Sequence, residues 1–73
     1  MDLVIAAGNH LVRIDGVVFR RADFRRITIV PHEGKFDVIV WLDADWHTCV
    51  ATCEQESLAV EIVARIYEVM SAF

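Results

Sequence analysis

The side chains best suited to chemistry in this chain are concentrated in residues 41–53. The segment reads WLDADWHTCVATC and contains two tryptophans, two aspartates, one histidine and two cysteines. Imidazole and thiolate groups bind zinc, so His47, Cys49 and Cys53 are the first candidates for a metal site. Strong zinc signals repeat a closely spaced cysteine pair, which this segment lacks. We therefore expect no metal and no cofactor.

The same segment is a weak candidate for catalysis. The candidate nucleophiles are Cys49 and Cys53, with His47 as the base. A reactive thiol needs a lowered pKa, and a position at a helix N-terminus would give Cys53 one modest source of it. A chain of 73 residues leaves little room for a substrate cleft, and its three glycines form no phosphate-binding loop. Asp43 and Asp45 suit a tight turn. We expect no enzyme, and we interpret the segment as the return of a β-hairpin.

Runs rich in β-branched residues predict an antiparallel sheet before the last third of the chain. LVIAA, HLVRI, FRRITIV and FDVIVWL read as strands, VVFRR is ambiguous, and HTCVAT returns beside FDVIVWL. Gly8-Asn9, Asp15-Gly16 and HEGK supply turns. Pro31 is expected to end its strand, because proline cannot donate to a ladder.

The last third of the chain changes to helical spacing. Apolar residues recur three or four apart from Ala59 to Phe73, which predicts a helix over residues 53–71. Thr52 and Gln55 fit a capping box at its start. The predicted fold is α+β: one domain over residues 1–73, with an antiparallel meander of four to five strands followed by one C-terminal helix packed on one sheet face.

The predicted hairpin sorts its side chains into two faces. With a turn of two residues at Asp43-Ala44, or of four residues, alternation gives the same two sets. The first set is the predicted core: Phe36, Val38, Val40, Leu42, His47, Cys49 and Ala51. The second set faces solvent: Asp37, Ile39, Trp41, Trp46, Thr48 and Val50. Its apolar members, Ile39, Trp41, Trp46 and Val50, predict a protein-contact surface, although a cross-strand tryptophan pair can stabilise a hairpin without a partner.

A second apolar stripe on the helix adds to the apolar surface that the chain cannot bury in its own core. Val60 and Tyr67, with Ala64 between them, either form the margin of a broad core-facing side or contact another chain. The hydrophobic fraction of 56% exceeds the roughly 45–50% of an ordinary domain, and so short a chain buries little surface. We therefore expect a homodimer, formed through Trp41 and Trp46 or through Val60 and Tyr67.

A basic segment, FRRADFRR, supplies the alternative function. Arg20, Arg21, Arg25 and Arg26 either guard a solvated sheet edge or bind carboxylates or phosphates, with the phenylalanines available for base stacking. The net charge is −4, with +2 over residues 1–35 and −6 over residues 36–73. This acidity counts against nucleic acid, which stays the alternative reading.

The expected function is that of a small, non-catalytic protein that binds a partner protein. An acid at position 2 and a short apolar run do not fit a signal peptide, and no stretch is long enough to span a membrane. Two cysteines fit free thiols in a reducing cytoplasm. The profile is typical of small cytoplasmic regulators and of phage- or plasmid-encoded inhibitors of host machinery, so a viral protein is one expectation, by an analogy that rests on no motif. The alternative is a nucleic-acid or phosphate-binding module that uses Arg20 to Arg26.

Overall fold

The computed structural model describes residues 3–43 and 46–71, and it confirms the α+β class. Six strands and one helix are present in these residues, against four to five predicted strands. The strands form two three-stranded antiparallel sheets, β1-β2-β3 and β4-β5-β6, rather than one meander. The elements are β1 (Ile5–Ala7), β2 (Leu11–Ile14), β3 (Val17–Arg20), a 3₁₀ turn (Arg21–Asp23), β4 (Arg26–His32), β5 (Lys35–Trp41), β6 (His47–Cys53) and α1 (Glu56–Met70).

The β4–β5 hairpin turns at Glu33 and Gly34. Both have positive φ, 50° and 76°, as a two-residue type I′ turn requires. The strand does not end at Pro31 as predicted but continues to His32, which pairs with Lys35. Pro31 is tolerated because β4 is an edge strand, where a missing donor that faces outward costs no ladder bond.

One core is shared by the inner faces of both sheets and by α1. The helix packs on the inner face of the second sheet, where Val38 and Val40 are fully buried as predicted. Ala59 and Ile66 of α1 are fully buried as well, in agreement with the helical period. In the described residues, α1 is neither long nor apolar enough to cross a membrane. The buried apolar residues are Leu3, Val12, Ile14, Phe19, Val38, Val40, Leu42, Val50, Cys53, Ala59 and Ile66.

The β5–β6 hairpin departs from its predicted faces at the loop. The Leu42 amide donates to the Trp46 carbonyl over 2.6 Å, so three residues separate the paired positions. An odd loop inverts the faces that a two- or four-residue turn would give, because side chains alternate with period 2. Trp46 therefore lies on the side of Leu42, and His47 lies opposite Trp41. Ala44 and Asp45, part of the predicted turn, lie outside the described residues.

A β-bulge at Val50 reverses the alternation a second time. Val38 pairs with Ala51 while Ile39 pairs with Cys49, which leaves Val50 as the extra residue. The bulge returns Ala51 to the inner side, opposite Val38. Val50 is buried, with 7% of its surface exposed, and Cys49 is exposed opposite Ile39. The predicted outward position of Val50 and the predicted burial of Cys49 are both wrong because the odd loop inverts the faces before the bulge is reached.

The helix begins later than predicted. It starts at Glu56, and its N-cap residue, Gln55, makes no side-chain capping bond. Thr52 lies in β6 and donates its hydroxyl to Asp37 Oδ1 over 2.9 Å on the neighbouring strand. The predicted capping box is wrong because the pairing of Phe36 with Cys53 extends β6 through these residues.

Arg21 joins the end of the helix to the first sheet. Its Nη1 donates to the carbonyl of Met70 over 2.6 Å, in the last turn of α1. Its Nε donates to the carbonyl of Gly8 over 3.1 Å, in the turn before β2. A cation at a helix C-terminus also interacts favourably with the helix dipole. The Arg21 side chain thus connects the end of α1 to the turn before β2, two elements that are distant in the sequence.

Burial of Cys53 predicts a loss of stability in alkaline solution. Burial, and to a lesser degree the nearby Cys49, raises the pKa of the Cys53 thiol above its ordinary value. The folded state therefore holds this proton more tightly than the unfolded state does. The protonated thiol stabilises the folded state fully at pH values below the ordinary thiol pKa. This stabilisation is lost as the pH rises through the raised pKa of Cys53 in the folded protein. We expect the free energy of unfolding, measured by urea titration, to fall over this alkaline range.

Two single variants test this assignment. Cys53→Ala should flatten the alkaline fall, whereas Cys49→Ala, which removes the exposed thiol, should leave it in place. An unchanged slope in Cys53→Ala would contradict the assignment to Cys53.

Candidate protein-contact surface

The side of the second sheet that faces away from α1 carries no further layer of the described chain. Within residues 3–43 and 46–71, every hydrogen bond, ion pair and ring contact of these side chains goes to another residue of β4, β5 or β6. We call this surface the outer face. Its residues are Arg26, Thr28, Val30 and His32 of β4, Lys35, Asp37, Ile39 and Trp41 of β5, and His47, Cys49 and Thr52 of β6.

Trp41 is held in place by both flanking strands. Its indole N–H donates to Thr28 Oγ1 over 2.8 Å. The Arg26 guanidinium lies 4.8 Å from the indole ring centroid, within the range of a cation–π contact. The imidazole of His47 lies 4.5 Å from the indole, between centroids. A ring held in this way loses little conformational entropy when a partner covers it.

The opposite end of the outer face is polar. Asp37 Oδ1 accepts the hydroxyl proton of Thr52, and Asp37 Oδ2 lies 3.8 Å from His32 Nδ1. The Cys49 thiol donates to the carbonyl of Ala51 over 3.3 Å. Ile39 lies between this end and Trp41 on the middle strand. An apolar centre with polar groups around it is the usual composition of a protein interface.

The predicted contact residues of the hairpin do not all lie together. Ile39 and Trp41 are on the outer face, where both are half-buried. Trp46 is 65% exposed but lies away from Trp41, against a recess of about 380 Å³. Val50 is in the core. The expected tryptophan pair is absent because His47, not Trp46, lies opposite Trp41. The recess is lined by Val18, Phe19, Arg20, Asp23, Leu42, Asp43 and Trp46.

The helix exposes apolar side chains on both flanks. Val60 and Tyr67, the predicted second stripe, are 52% and 43% exposed. Tyr67 meets the ring of Phe24 edge-on, with centroids 6.0 Å apart, so it lies at the margin of the core. The other flank borders a groove of about 520 Å³ that the sequence interpretation missed. The signal for it was the four-residue spacing of Leu58 and Ile62, which puts both on the same side of the helix. Leu3, Cys53, Leu58, Ile62 and Val69 form its apolar part, with Glu61, Ala64, Arg65 and Glu68 beside them.

The candidate zinc ligands do not converge. His47 and Cys49 point to the outer face, whereas Cys53 is buried in the core on the other side of the sheet. Among the described residues, no group of three histidine, cysteine or acidic side chains is placed to hold a metal ion. Asp43 forms an ion pair with Arg25, and Asp45 lies outside the described residues.

The four arginines of the basic segment have four different environments. Arg20 pairs with Asp23 at 3.0 Å, and Arg25 pairs with Asp43 at 2.9 Å. Arg26 lies over Trp41, and Arg21 is directed to the end of α1. The two ion pairs are exposed and are each worth at most about 1 kcal/mol, so a partner's carboxylates can compete for these arginines.

No known protein family, curated protein or solved structure matches this chain.

Proposed function

We propose that this protein is a non-catalytic regulator that binds a partner protein through the outer face, with Trp41 and Ile39 as the central contacts. It would act in the cytoplasm as an inhibitor, by occluding a surface of its partner. The observation that carries the proposal is the placement of Trp41, an indole fixed by three neighbouring side chains on a sheet face that nothing in the described chain covers.

The energetics of interfaces favour this surface. A few central residues supply most of the binding energy in protein complexes, and tryptophan and arginine are enriched among them. Trp41 and Arg26 are adjacent and already in contact, so binding would not have to order the indole. Ile39 extends the apolar centre along the same strand.

The positive charge of Arg26 beside Trp41 favours an acidic group on the partner. Arg26 flanks the indole from β4, and His47 flanks it from β6. A carboxylate placed beside Trp41 would meet the guanidinium of Arg26, which has no acidic partner of its own among the described residues. Both cysteines are free, which suits a reducing compartment.

The alternative, a nucleic-acid or phosphate-binding module, has less support. Its arginine cluster is divided, because Arg21 is directed to the helix end and Arg26 lies over Trp41 on the outer face. The two arginines of the cluster that remain, Arg20 and Arg25, belong to a chain of net charge −4. Binding of random oligonucleotides that weakens steeply with salt would favour this alternative over the proposal.

Trp41→Ala tests the proposed function. Wild-type protein is used to isolate its partner from an extract of the native host, and the purified pair is then titrated by calorimetry. Loss of a central tryptophan costs about 2 kcal/mol or more, which corresponds to about a 30-fold weaker affinity. Val18→Ala is the matched control, because Val18 is 57% exposed on the outer side of the first sheet.

The two variants separate a contact role from a folding role. Thermal unfolding of each variant alone shows whether the fold is intact, and Val18→Ala should bind as the wild type does. Equal affinities of Trp41→Ala and wild type for the isolated partner would refute the outer face as the binding surface.

A further inference from the structure

Strand β4 presents an open edge. It is the outermost strand of the second sheet, and it pairs only with β5. His32 and Lys35 flank the two-residue turn and form a hydrogen-bonded pair, so bonded and non-bonded pairs alternate from there along the strand. By this alternation, the backbone N–H and C=O groups of Ile27 and Ile29 point away from β5.

These outward groups have no partner in the described chain. No backbone or side-chain group of residues 3–43 and 46–71 forms a hydrogen bond with the outward N–H of Ile27 or Ile29. The centre of the strand, residues 27–30, is β-branched and uncharged. Natural edge strands are usually protected by charges, prolines or bulges against pairing with another chain. Here such residues, Arg26 and Pro31, stand only near the ends of the strand.

We propose that β4 pairs with β4 of a second copy of this chain, antiparallel about a twofold axis at Thr28. Ile27 then lies opposite Ile29 of the second copy, and the two symmetric pairs form four N–H···O bonds. Thr28 lies opposite Thr28 of the second copy, and Arg26 lies opposite Val30 of the second copy. The β4-β5-β6 sheets of the two copies then join into one sheet of six strands, with the two β4 strands at its centre.

The neighbouring registers are poorer. With the axis at Ile29, Pro31 stands opposite Ile27 in a bonded pair and leaves carbonyls without a donor. With the axis at Ile27, the amide of Arg25 is required in the ladder, but it already donates to the carbonyl of Trp41 over 2.8 Å. With the axis at Thr28, Pro31 lies opposite Arg25 of the second copy. This pair is outside the four hydrogen bonds between the strands, so the missing N–H of Pro31 is not needed.

The side chains agree with this register on both sides of the sheet. On the inner side, half-buried Ile27 and Ile29 pack against each other across the axis. On the outer side, the facing pairs are threonine with threonine and arginine with valine, so no like charges oppose each other. The dimer brings two outer faces side by side. Its formation does not depend on the proposed function, because it needs no foreign partner.

Opposite charges introduced at Val30 test the pairing. Val30 is 39% exposed, and the register puts it opposite Arg26 of the second copy. Val30→Glu adds two cross-strand ion pairs and should tighten the dimer about tenfold, and Val30→Lys should weaken it about tenfold. Sedimentation equilibrium from micromolar to millimolar concentration measures both shifts.

The same two variants have the opposite effect within one chain. Asp37 lies opposite Val30 on β5, so an introduced lysine gains an internal partner and an introduced glutamate meets a like charge. A general change in fold stability would therefore favour Val30→Lys. A wild type that stays monomeric throughout, or shifts of the same sign for both variants, would overturn the β4 dimer.

Hydrogen exchange and a proline variant locate the contact. The amides of Ile27 and Ile29 should become protected from exchange as the concentration rises. Ile29→Pro removes an outward donor and should abolish the dimer, whereas Ile29→Ala, which loses most of the same side-chain packing, should still associate. Dimerisation without protection of these two amides would place the interface elsewhere and overturn the inference.

Discussion

Arg21→Ala is expected to lower the free energy of unfolding by about 2–4 kcal/mol. The substitution removes the charge-assisted hydrogen bonds to the carbonyls of Met70 and Gly8. Such bonds contribute roughly 1.5–3 kcal/mol each, and the sum is lowered here because the bond to Gly8 is exposed to solvent. It also removes a cation from the C-terminal end of α1. Urea unfolding followed by circular dichroism measures the loss.

The neighbouring arginine is the matched control. Arg20 bonds Asp23, but 75% of its side chain is exposed. Arg20→Ala should change the free energy of unfolding by less than about 0.5 kcal/mol, because exposed ion pairs contribute little. Similar losses of unfolding free energy for Arg20→Ala and Arg21→Ala would show that the hydrogen bond between Arg21 and the helix end is not a main source of stability.

This difference decides how the basic segment should be tested for binding. Replacing all four arginines at once would combine a binding effect with a folding effect, because Arg21 belongs to the fold. A triple variant that changes Arg20, Arg25 and Arg26 to serine keeps the structural arginine. Its affinity for an acidic protein or for an oligonucleotide then reports on binding alone.

Ile66→Ala is expected to cause a loss of about 2–5 kcal/mol, the range for truncating a fully buried isoleucine. A domain of this length has a total stability of about 4–11 kcal/mol, so the variant should be marginally folded. Its unfolding midpoint in urea should fall accordingly.

Val60→Ala, on the same helix, is the control. Val60 is 52% exposed, and its truncation should change the free energy of unfolding by less than about 0.5 kcal/mol. A loss as large as that of Ile66→Ala would mean that the helix presents a different side to the sheets.

The α+β class and the core side of the helix follow from local patterns. Helical spacing predicts Ala59 and Ile66 as core residues, because a helix that packs on one side must repeat apolar residues every three or four positions. Alternation along β5 predicts Val38 and Val40 as core residues. These patterns hold within a single element and need no knowledge of its neighbours.

The faces of β6 could not be derived in the same way. They depend on how many residues form the loop before the strand and on whether the strand contains a bulge. The three residues between Leu42 and Trp46, and the extra residue at Val50, each invert the alternation. Neither has a local signal as strong as the Glu33-Gly34 turn, where positive φ favours glycine.

The sequence by itself determined the fold class, the residues of the helix that face the core, and the excess of apolar surface, because these properties depend on residue types and their periodicity. Only the tertiary structure decided that Trp41 rather than Trp46 lies on the outer face, that Val50 is buried and that Arg21 supports the helix end. The division into two sheets and the exposed edge of β4 were decided there as well. These features depend on strand register and on contacts between residues far apart in the chain, and one shifted residue in a register exchanges the two faces of a strand.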